Sequence, residues 1–126
     1  MSSTTILSIG QCRPDQAAIN HFLKSNFDVD VVHTDLAHES FATLRATRVS
    51  LVLINRKLDA DYSDGMEILS AIKSDAQLSD VPVMLVSNFP EWQQKAVQAG
   101  AIYGFGKAEL NSAETVERLR SVLQTT

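Results

Sequence analysis

Short runs of aliphatic residues alternate along the chain with longer amphipathic segments, and this alternation limits the possible folds more than any other feature. The run Leu51-Val52-Leu53-Ile54 is apolar at every position, which is typical of a strand buried on both faces. Helical spacing of apolar residues follows each run. Strand and helix repeated with short connections predict right-handed crossovers and a parallel sheet covered by helices on both faces. The sequence therefore predicts an α/β protein.

The pattern predicts five strands and five helices. The strands are Thr5–Ile9 and residues 29–33, 49–54, 82–86 and 101–105. The helices begin at Pro14, after an N-cap at Asp35, after the polar loop 59–65, at Glu91 (residues 91–98), and at a capping box formed by Asn111 and Glu114.

Size and charge bound the class of protein. The 126 residues are enough for one domain, residues 1–126, with a single buried core. Fifteen acidic and eleven scattered basic residues argue against a nucleic-acid-binding surface. The single cysteine, Cys12, cannot form an internal disulfide. Neither a membrane-spanning stretch nor a signal-peptide pattern is present, so we expect a cytoplasmic protein without a membrane partner.

Neutral polar residues follow the predicted strands where an α/β protein usually carries its chemistry. Asn55 follows the third strand, Gly10 and Gln11 follow the first, and Ser87 follows the fourth. Because the carboxyl ends of parallel strands meet at one edge of the sheet, we expect these residues to lie near each other. The site at this edge would then lack the carboxylates that such sites commonly contain.

Several marks, in order along essentially the whole chain, make it resemble the receiver domain of two-component response regulators. The marks are Pro14 after the first strand, the run 50–54 ending at Asn55, Leu58, Gly65, the segment Val81-Pro82-Val83, Ser87, the turn 99–101, and Lys107. The resemblance implies a flavodoxin-like, doubly wound sandwich with a five-stranded parallel sheet of order 2-1-3-4-5.

In that family an aspartate after the third strand attacks a phosphoryl donor, two acids after the first strand help to hold Mg²⁺, and a hydroxyl and a lysine contact the phosphoryl oxygens. By position these residues are Asn55 for the attacking group, Gly10 and Gln11 for the acids, and Ser87 and Lys107 for the last two. An amide has no anionic oxygen for the attack, and Mg²⁺ prefers charged oxygen ligands. We therefore predict a degenerate pseudo-receiver that is not an enzyme and has neither a cofactor nor a metal site.

The positions that report phosphorylation in the family are also changed. An aromatic residue three before the lysine and a proline directly after it are replaced by Gly104 and Ala108. Tyr103 is a poor substitute for the aromatic ring, because neighbouring strand residues point to opposite faces. Two arrangements of Lys107 stay open: it donates to the carbonyl of Asn55 and the neutral site holds one conformation, or it lies in solvent without a role.

The resemblance implies a protein partner, namely a sensor kinase, an output domain, another signalling protein or a second copy of the chain. Phe89, Trp92 and Tyr103 form the candidate partner surface. Trp is enriched at the centres of interfaces, and the polar neighbours of Trp92 predict that it is exposed. The predicted function is that of a protein–protein interaction module in a two-component phosphorelay.

Two alternatives stay open at this stage. The first is a flavodoxin-like domain that binds a small molecule or anion in the neutral pocket among Gly10, Asn55, Ser87 and Lys107. The second is a receiver that is phosphorylated at a displaced acid. The candidates for that acid are Asp59, Asp61 and Asp64.

Overall fold

The computed structural model describes residues 4–124, in which five strands alternate with five α-helices. The strands are β1 (Thr5–Ile9), β2 (Asp30–Thr34), β3 (Leu51–Asn55), β4 (Val83–Val86) and β5 (Ile102–Phe105). The helices are α1 (Arg13–Asn26), α2 (Ala37–Ala46), α3 (Gly65–Ser74), α4 (Pro90–Gln98) and α5 (Ala113–Leu123), and one 3₁₀ turn (Lys107–Glu109) precedes α5. No helix in this range has both the length and the apolar character needed to cross a membrane.

The strands form one parallel sheet with the order β2-β1-β3-β4-β5, which confirms the predicted fold. Ile9 lies level with Thr34 of β2 and Ile54 of β3, so β1 and β2 end together and β3 extends one residue further, to Asn55. The observed β2 to β5 begin one or two residues later than the sequence predicts. Apolar residues continue into the turn before a strand, so the apolar pattern predicts a start that is too early. The observed start depends on which residues pair with the neighbouring strand.

Two apolar clusters cover the two faces of the sheet. On one face, Ile19, Phe22 and Leu23 of α1 and Leu119 and Val122 of α5 pack against the strands. On the other face, the packing residues come from α2, α3 and α4, and they include Leu44, Ile68, Leu69, Ile72 and Ala96. The inner strands β1, β3 and β4 are buried on both faces, which explains their nearly unbroken aliphatic sequences.

The start of α2 differs from its predicted position. Leu36, not Asp35, is the N-cap residue. The exposed backbone amides of Asp35 and Leu36 donate instead to Oε1 of Glu39, at 3.1 and 3.0 Å. The side chain of Glu39, in the first turn, thus accepts from the amide of the N-cap residue, as the glutamate of a capping box does.

The start of α5 is also one residue from its predicted position. Ser112 is the N-cap residue, and its Oγ accepts a hydrogen bond from the backbone amide of Thr115 at 3.1 Å. Asn111 lies one residue earlier with φ of 73°, a left-handed conformation that asparagine tolerates better than most residues. The predicted capping box of Asn111 and Glu114 is therefore wrong.

A buried side chain of α4 joins β4 to β5. Gln93 is only 2% exposed; its Nε2 donates to the carbonyl oxygens of Leu85 (2.9 Å) and Ser87 (3.1 Å). Its Oε1 accepts from the backbone amide of Gly104 at 2.8 Å. The amide of Gln93 therefore bonds both strands and fixes α4 to them.

The ladder between β4 and β5 is irregular at this point. Met84 pairs with Ile102 and Val86 pairs with Phe105, so β5 contains one extra residue between the two pairs. Such a bulge leaves backbone groups without ladder partners. The side chain of Gln93 supplies those partners, because its amide carries the same donor and acceptor as a peptide group.

We predict that Gln93→Leu destabilises the protein by about 2–4 kcal/mol, because it leaves the buried backbone groups of Leu85 and Gly104 unpaired. The neighbouring variant Gln94→Leu, at an exposed position, is the matched control and should change stability by less than about 0.5 kcal/mol. Urea unfolding of both variants measures the difference. Equal stabilities would show that the Gln93 bonds contribute nothing.

Candidate functional site

Gly10 is the backbone junction of the site at the carboxyl edge of the sheet. Its amide donates to the carbonyl oxygen of Thr34, at the end of β2, at 2.9 Å. Its carbonyl oxygen accepts from the backbone amide of Asp59 at 2.9 Å and from Nδ2 of Asn55 at 3.1 Å. One residue thus ties together the ends of β1, β2 and β3 and the loop that follows β3.

Position 10 has no room for a side chain. Gly10 has φ of +78°, which L-residues rarely adopt. A Cβ added there would lie 2.3 Å from Cδ2 of Leu58 and 3.1 Å from its Cα. An aspartate at the first position of the family's acidic pair would therefore require the loop that carries Leu58 to move.

The chemistry of this junction depends on the amide of Asn55. Its NH₂ group is the donor to the carbonyl of Gly10, and an ionised carboxylate has no proton to donate. An aspartate at position 55 would instead place a negative oxygen against the carbonyl oxygen of Gly10. Asparagine is therefore a structural part of this site.

Asn55, Ser87 and Lys107 line one cavity of about 290 Å³. Its other lining residues are Arg56, Lys57, Val86, Asn88 and Phe89. Three cations and no carboxylate belong to this lining, while Gly10 and Gln11 lie outside it. The structure thus brings together three of the five residues that sequence reasoning places in the pocket.

Lys107 contacts a different partner from the expected one. Its Nζ lies 2.7 Å from Oδ2 of Asp15, in the first turn of α1, rather than bonding Asn55. The thiol of Cys12 donates to the same oxygen at 3.1 Å. The hydrogen bond from Lys107, followed by that from Cys12, lowers the pKa of Asp15. The predicted Lys107–Asn55 bond is wrong because a carboxylate within reach is a stronger acceptor for an ammonium group than an amide.

Asp15 is the site residue that the sequence reasoning missed. The signal for it was its place in the first turn of a helix that begins at this edge, where acidic residues are favoured by the helix dipole. The lining of the Asn55 cavity does not include the three loop acids proposed as displaced acceptors. Asp64 caps α3 by accepting from the amide of Met66, Asp61 accepts from Ser63, and Asp59 borders another cavity.

Trp92 is half-buried, whereas the sequence predicts that it is exposed. Its ring packs against the apolar cluster that covers the α3 side of the sheet. The guanidinium of Arg56 lies 3.8 Å from the ring centroid and Nζ of Lys95 lies 4.4 Å from it. The expectation of an exposed Trp92 is thus met only in part, since two cations cover a ring that also contacts the core.

Phe89 and Tyr103 are the more exposed members of the predicted partner surface. Phe89, the N-cap residue of α4, is 59% exposed, and Tyr103 of β5 is 40% exposed. Val97 and Ile102, from the same two elements, are also exposed large hydrophobic residues. We call these four residues the α4–β5 face.

The site does not suit Mg²⁺. Among residues 4–124, no group of three or more His, Cys, Asp or Glu side chains lies close enough together to hold a metal ion. Gly10 has no side chain and Asn55 is neutral. Gln11 is 2% exposed, and neither of its amide atoms has a hydrogen-bond partner among the described residues. The divalent ion implied by the family resemblance therefore lacks its charged ligands.

Comparisons with known proteins place the fold. No protein-family model and no curated protein matches the sequence. Solved structures do match. A receiver domain of a DNA-binding response regulator from Colwellia psychrerythraea 34H has a TM-score of 0.81 at 19% identity, over 97% of this chain and 99% of that one. A response regulator described as putative, from Chloroflexus aurantiacus J-10-fl, has a TM-score of 0.82 at 13% identity, over 98% and 99%.

A chemotaxis protein of Vibrio cholerae, CheY4, is also similar, with a TM-score of 0.70 at 17% identity over 98% of each chain. The chain has the receiver fold. At these identities the likeness establishes the architecture alone. One of the similar structures, response regulator Rcp1, was solved in a Mn²⁺-bound form, whereas the corresponding edge of the present receiver fold carries Gly10, Gln11 and Asn55.

We predict that Asn55→Asp destabilises this receiver fold by about 1–3 kcal/mol at neutral pH, because it replaces the donor to Gly10 with a charged acceptor. Asn88→Asp is the matched control. Asn88 uses only its Oδ1, as the acceptor from the amide of Ala108 at 3.0 Å, and an aspartate keeps that acceptor. The control should change stability by less than about 1 kcal/mol. Chemical denaturation tests the pair, and an Asn55→Asp variant as stable as the wild type would contradict the role given to the amide.

A second prediction concerns pH. The pKa of Asp15 is lowered in the folded state from its ordinary value of 3.8, so its ion pair with Lys107 stabilises the protein above that pH and is lost as the pH falls through the lower, folded pKa. The effect is at most about 1 kcal/mol because both side chains are partly exposed. Asp15→Asn should therefore be less stable than the wild type at pH 7, with a smaller difference near pH 3. Unfolding curves that differ equally at both pH values would argue against the pair.

Proposed function

We propose that the protein is a pseudo-receiver, a protein–protein interaction module of two-component signalling that is not phosphorylated at Asn55. The hydrogen bond from the amide of Asn55 to the carbonyl of Gly10 carries this proposal. In this bond the residue at the family's phospho-acceptor position serves as a structural donor. The acceptor, Gly10, is a residue that has no room for an acidic side chain. Without an aspartate at position 55 and an acid at position 10, the site lacks the charge on which phosphoryl transfer and Mg²⁺ binding depend.

The arrangement of α4 and β5 supports a module with one conformation. The position that holds the family's switching aromatic residue is Gly104, where an added Cβ would lie 2.2 Å from the carbonyl oxygen of Leu85. Gln93 bonds the backbone on both sides of this point. A rotating side chain has no space here, and moving α4 would break buried hydrogen bonds.

The α4–β5 face is the surface that we assign to the partner. Exposed aromatic and aliphatic side chains favour association with another protein, and these four come from two elements that contact each other, α4 and β5. Arg118 lies over the ring of Tyr103, 5.1 Å from its centroid, and so adds a charged edge to an otherwise apolar surface. The partner is a sensor kinase, an output domain or another signalling protein, or a second copy of this chain.

A second candidate function, anion binding, is favoured by the cavity at Asn55. Arg56, Lys57 and Lys107 surround it without an acid in its lining, although Lys107 is already paired with Asp15. Because Arg56 stacks on Trp92, the only tryptophan, a saturable change in tryptophan fluorescence on titration with phosphate would favour this candidate. A cytoplasmic location and the absence of a nucleic-acid partner, a cofactor and catalysis stay predictions.

The test of the proposed function has two parts. A small phosphodonor with Mg²⁺ should leave the intact mass unchanged, whereas phosphorylation would add about 80 Da. Purified sensor-kinase and output domains of the source organism, together with the chain itself, are then screened for saturable binding. At least one should bind, and the phosphodonor should not change its affinity.

Variants at two exposed tyrosines locate the binding surface. Tyr103→Ser on the α4–β5 face should weaken that binding at least about tenfold, as expected for an interface aromatic residue. Tyr62→Ser, at a 73% exposed tyrosine in the loop after β3, is the matched control and should leave it unchanged. Phosphorylation, phosphodonor-dependent affinity, or equal effects of the two variants would refute the proposal.

A further inference from the structure

Three basic residues lie together where α4 meets the loop after β3. Arg56 and Lys57 directly follow Asn55, and Lys95 belongs to α4. Cζ of Arg56 is 3.8 Å and Nζ of Lys95 is 4.4 Å from the ring centroid of Trp92, so the two charges are no more than about 8 Å apart. We call Arg56, Lys57, Trp92 and Lys95 the Trp92 platform.

The three cations of the Trp92 platform have no acidic partner. None of them takes part in an ion pair among residues 4–124. Glu91 lies four residues before Lys95 on α4, a spacing at which a glutamate and a lysine commonly pair, yet Lys95 lies over Trp92 instead. Acidic residues outnumber basic ones in the chain, 15 to 11, so this surface carries a charge opposite to that of the whole protein.

The outer donors of Arg56 are open to solvent. Nε is buried and has no hydrogen-bond partner. The two terminal nitrogens of the guanidinium also bond no residue among 4–124, but they are not buried, and Lys57 and Lys95 are exposed. The stack on Trp92 holds the guanidinium in place, so its outer N–H groups are available to a ligand at little cost in side-chain entropy.

The two positive charges beside the Trp92 ring repel each other. The Debye length is about 8 Å at physiological ionic strength, so salt screens the repulsion between Arg56 and Lys95 only in part. A carboxylate placed beside them removes this repulsion, and it accepts two parallel hydrogen bonds from a guanidinium. The platform therefore favours an anionic partner.

We propose that the Trp92 platform binds an acidic segment of a protein partner. Asp or Glu side chains of that segment neutralise Arg56 and Lys95, and an apolar side chain beside them packs on Phe89. Phe89 is 59% exposed and lines the same cavity as Arg56 and Lys57, so an apolar contact lies next to the charges. The inference rests on the proposed interaction function and names the chemistry of the partner.

A segment of polypeptide fits the platform better than a small anion or a nucleic acid does. Lys95 does not belong to the lining of the cavity at Asn55, so an ion in that cavity leaves Lys95 unpaired, whereas several carboxylates on one segment reach both elements. A nucleic acid needs many phosphate contacts, and the net charge of -4 repels it. Arg118 lies over Tyr103 on the α4–β5 face, so we expect acidic residues around the apolar ones of the segment.

A random dodecapeptide library displayed on phage is selected against the full chain. The enriched peptides should be acidic, with a mean net charge of about -3 or below, and should contain an apolar residue. One of them, synthesised with a fluorescent label, should bind saturably, and raising NaCl from about 50 to about 300 mM should weaken its binding roughly tenfold. Enriched peptides that are neutral or basic, an affinity that does not depend on salt, or the absence of any saturable binder overturns the proposal.

Variants of the platform locate the binding site of the selected peptide. The double variant Arg56→Gln/Lys95→Gln should weaken its binding at least about tenfold. Lys24→Gln/Arg48→Gln is the matched control, because it removes two exposed cations that also lack an ion pair and so changes the net charge equally. The affinity of the control should stay within about twofold of the wild type. Equal losses for the two double variants would show that overall charge alone drives binding, which overturns the proposal.

Two further measurements are independent of the stability of the double variant. Lys95→Gln alone changes an exposed side chain and should weaken peptide binding roughly threefold; full affinity in this variant contradicts the proposal. A single-stranded oligonucleotide of random sequence should bind at least about tenfold more weakly than the peptide, and equal or tighter binding assigns the surface to nucleic acid instead. The selection uses no signalling domain, so its failure leaves the Tyr103-dependent binding of the proposed function to its own test.

Discussion

The carbonyl oxygen of Gly10 accepts two hydrogen bonds, and the rest of the carboxyl edge depends on this double contact. One donor is the side chain at the end of β3 and the other is the backbone of the following loop. Only a residue with left-handed φ and no Cβ places the carbonyl there beside Leu58. This edge is thus held by neutral hydrogen bonds, and such bonds need no metal to offset repulsion between charges.

Neutral hydrogen bonds also hold the two strands at the other edge of the sheet, β4 and β5. In the irregular ladder between β4 and β5, the amide of Gln93 takes the role of a backbone group. Gly104 leaves the space that this arrangement needs. Asp15 takes up the charge of Lys107. These contacts hold α4, β5 and Lys107 in place, and they are the physical basis of the single conformation that we propose.

Whether a contact in the site can be predicted from the sequence depends on how far apart its two residues lie along the chain. The residues that line the Asn55 cavity follow directly from parallel strands ending at one edge, and Ser87 and Lys107 lie where that rule places them. The partner of Lys107 does not follow from it. Asp15 lies more than ninety residues earlier in the chain, and only the packing of α1 beside the end of β5 brings the two charges within 2.7 Å. Gln11 reads only as a neutral polar residue in the sequence, and its burial without a hydrogen-bond partner among residues 4–124 is a property of the fold.

The sequence by itself determined the α/β class, the order of elements and the neutral residues at positions 10, 11 and 55, because these follow from local apolar periodicity and from residue identity. The N-cap residues Leu36 and Ser112 each lie one residue after the predicted ones. The position of a cap depends on which backbone amides are within hydrogen-bonding reach, and the sequence does not show this. Tertiary structure alone decided that Asn55 is a donor, that Gln93 bonds two strands, and that position 10 excludes a side chain. Hydrogen-bond partners and steric room depend on atoms that are distant in sequence, and no local pattern specifies them.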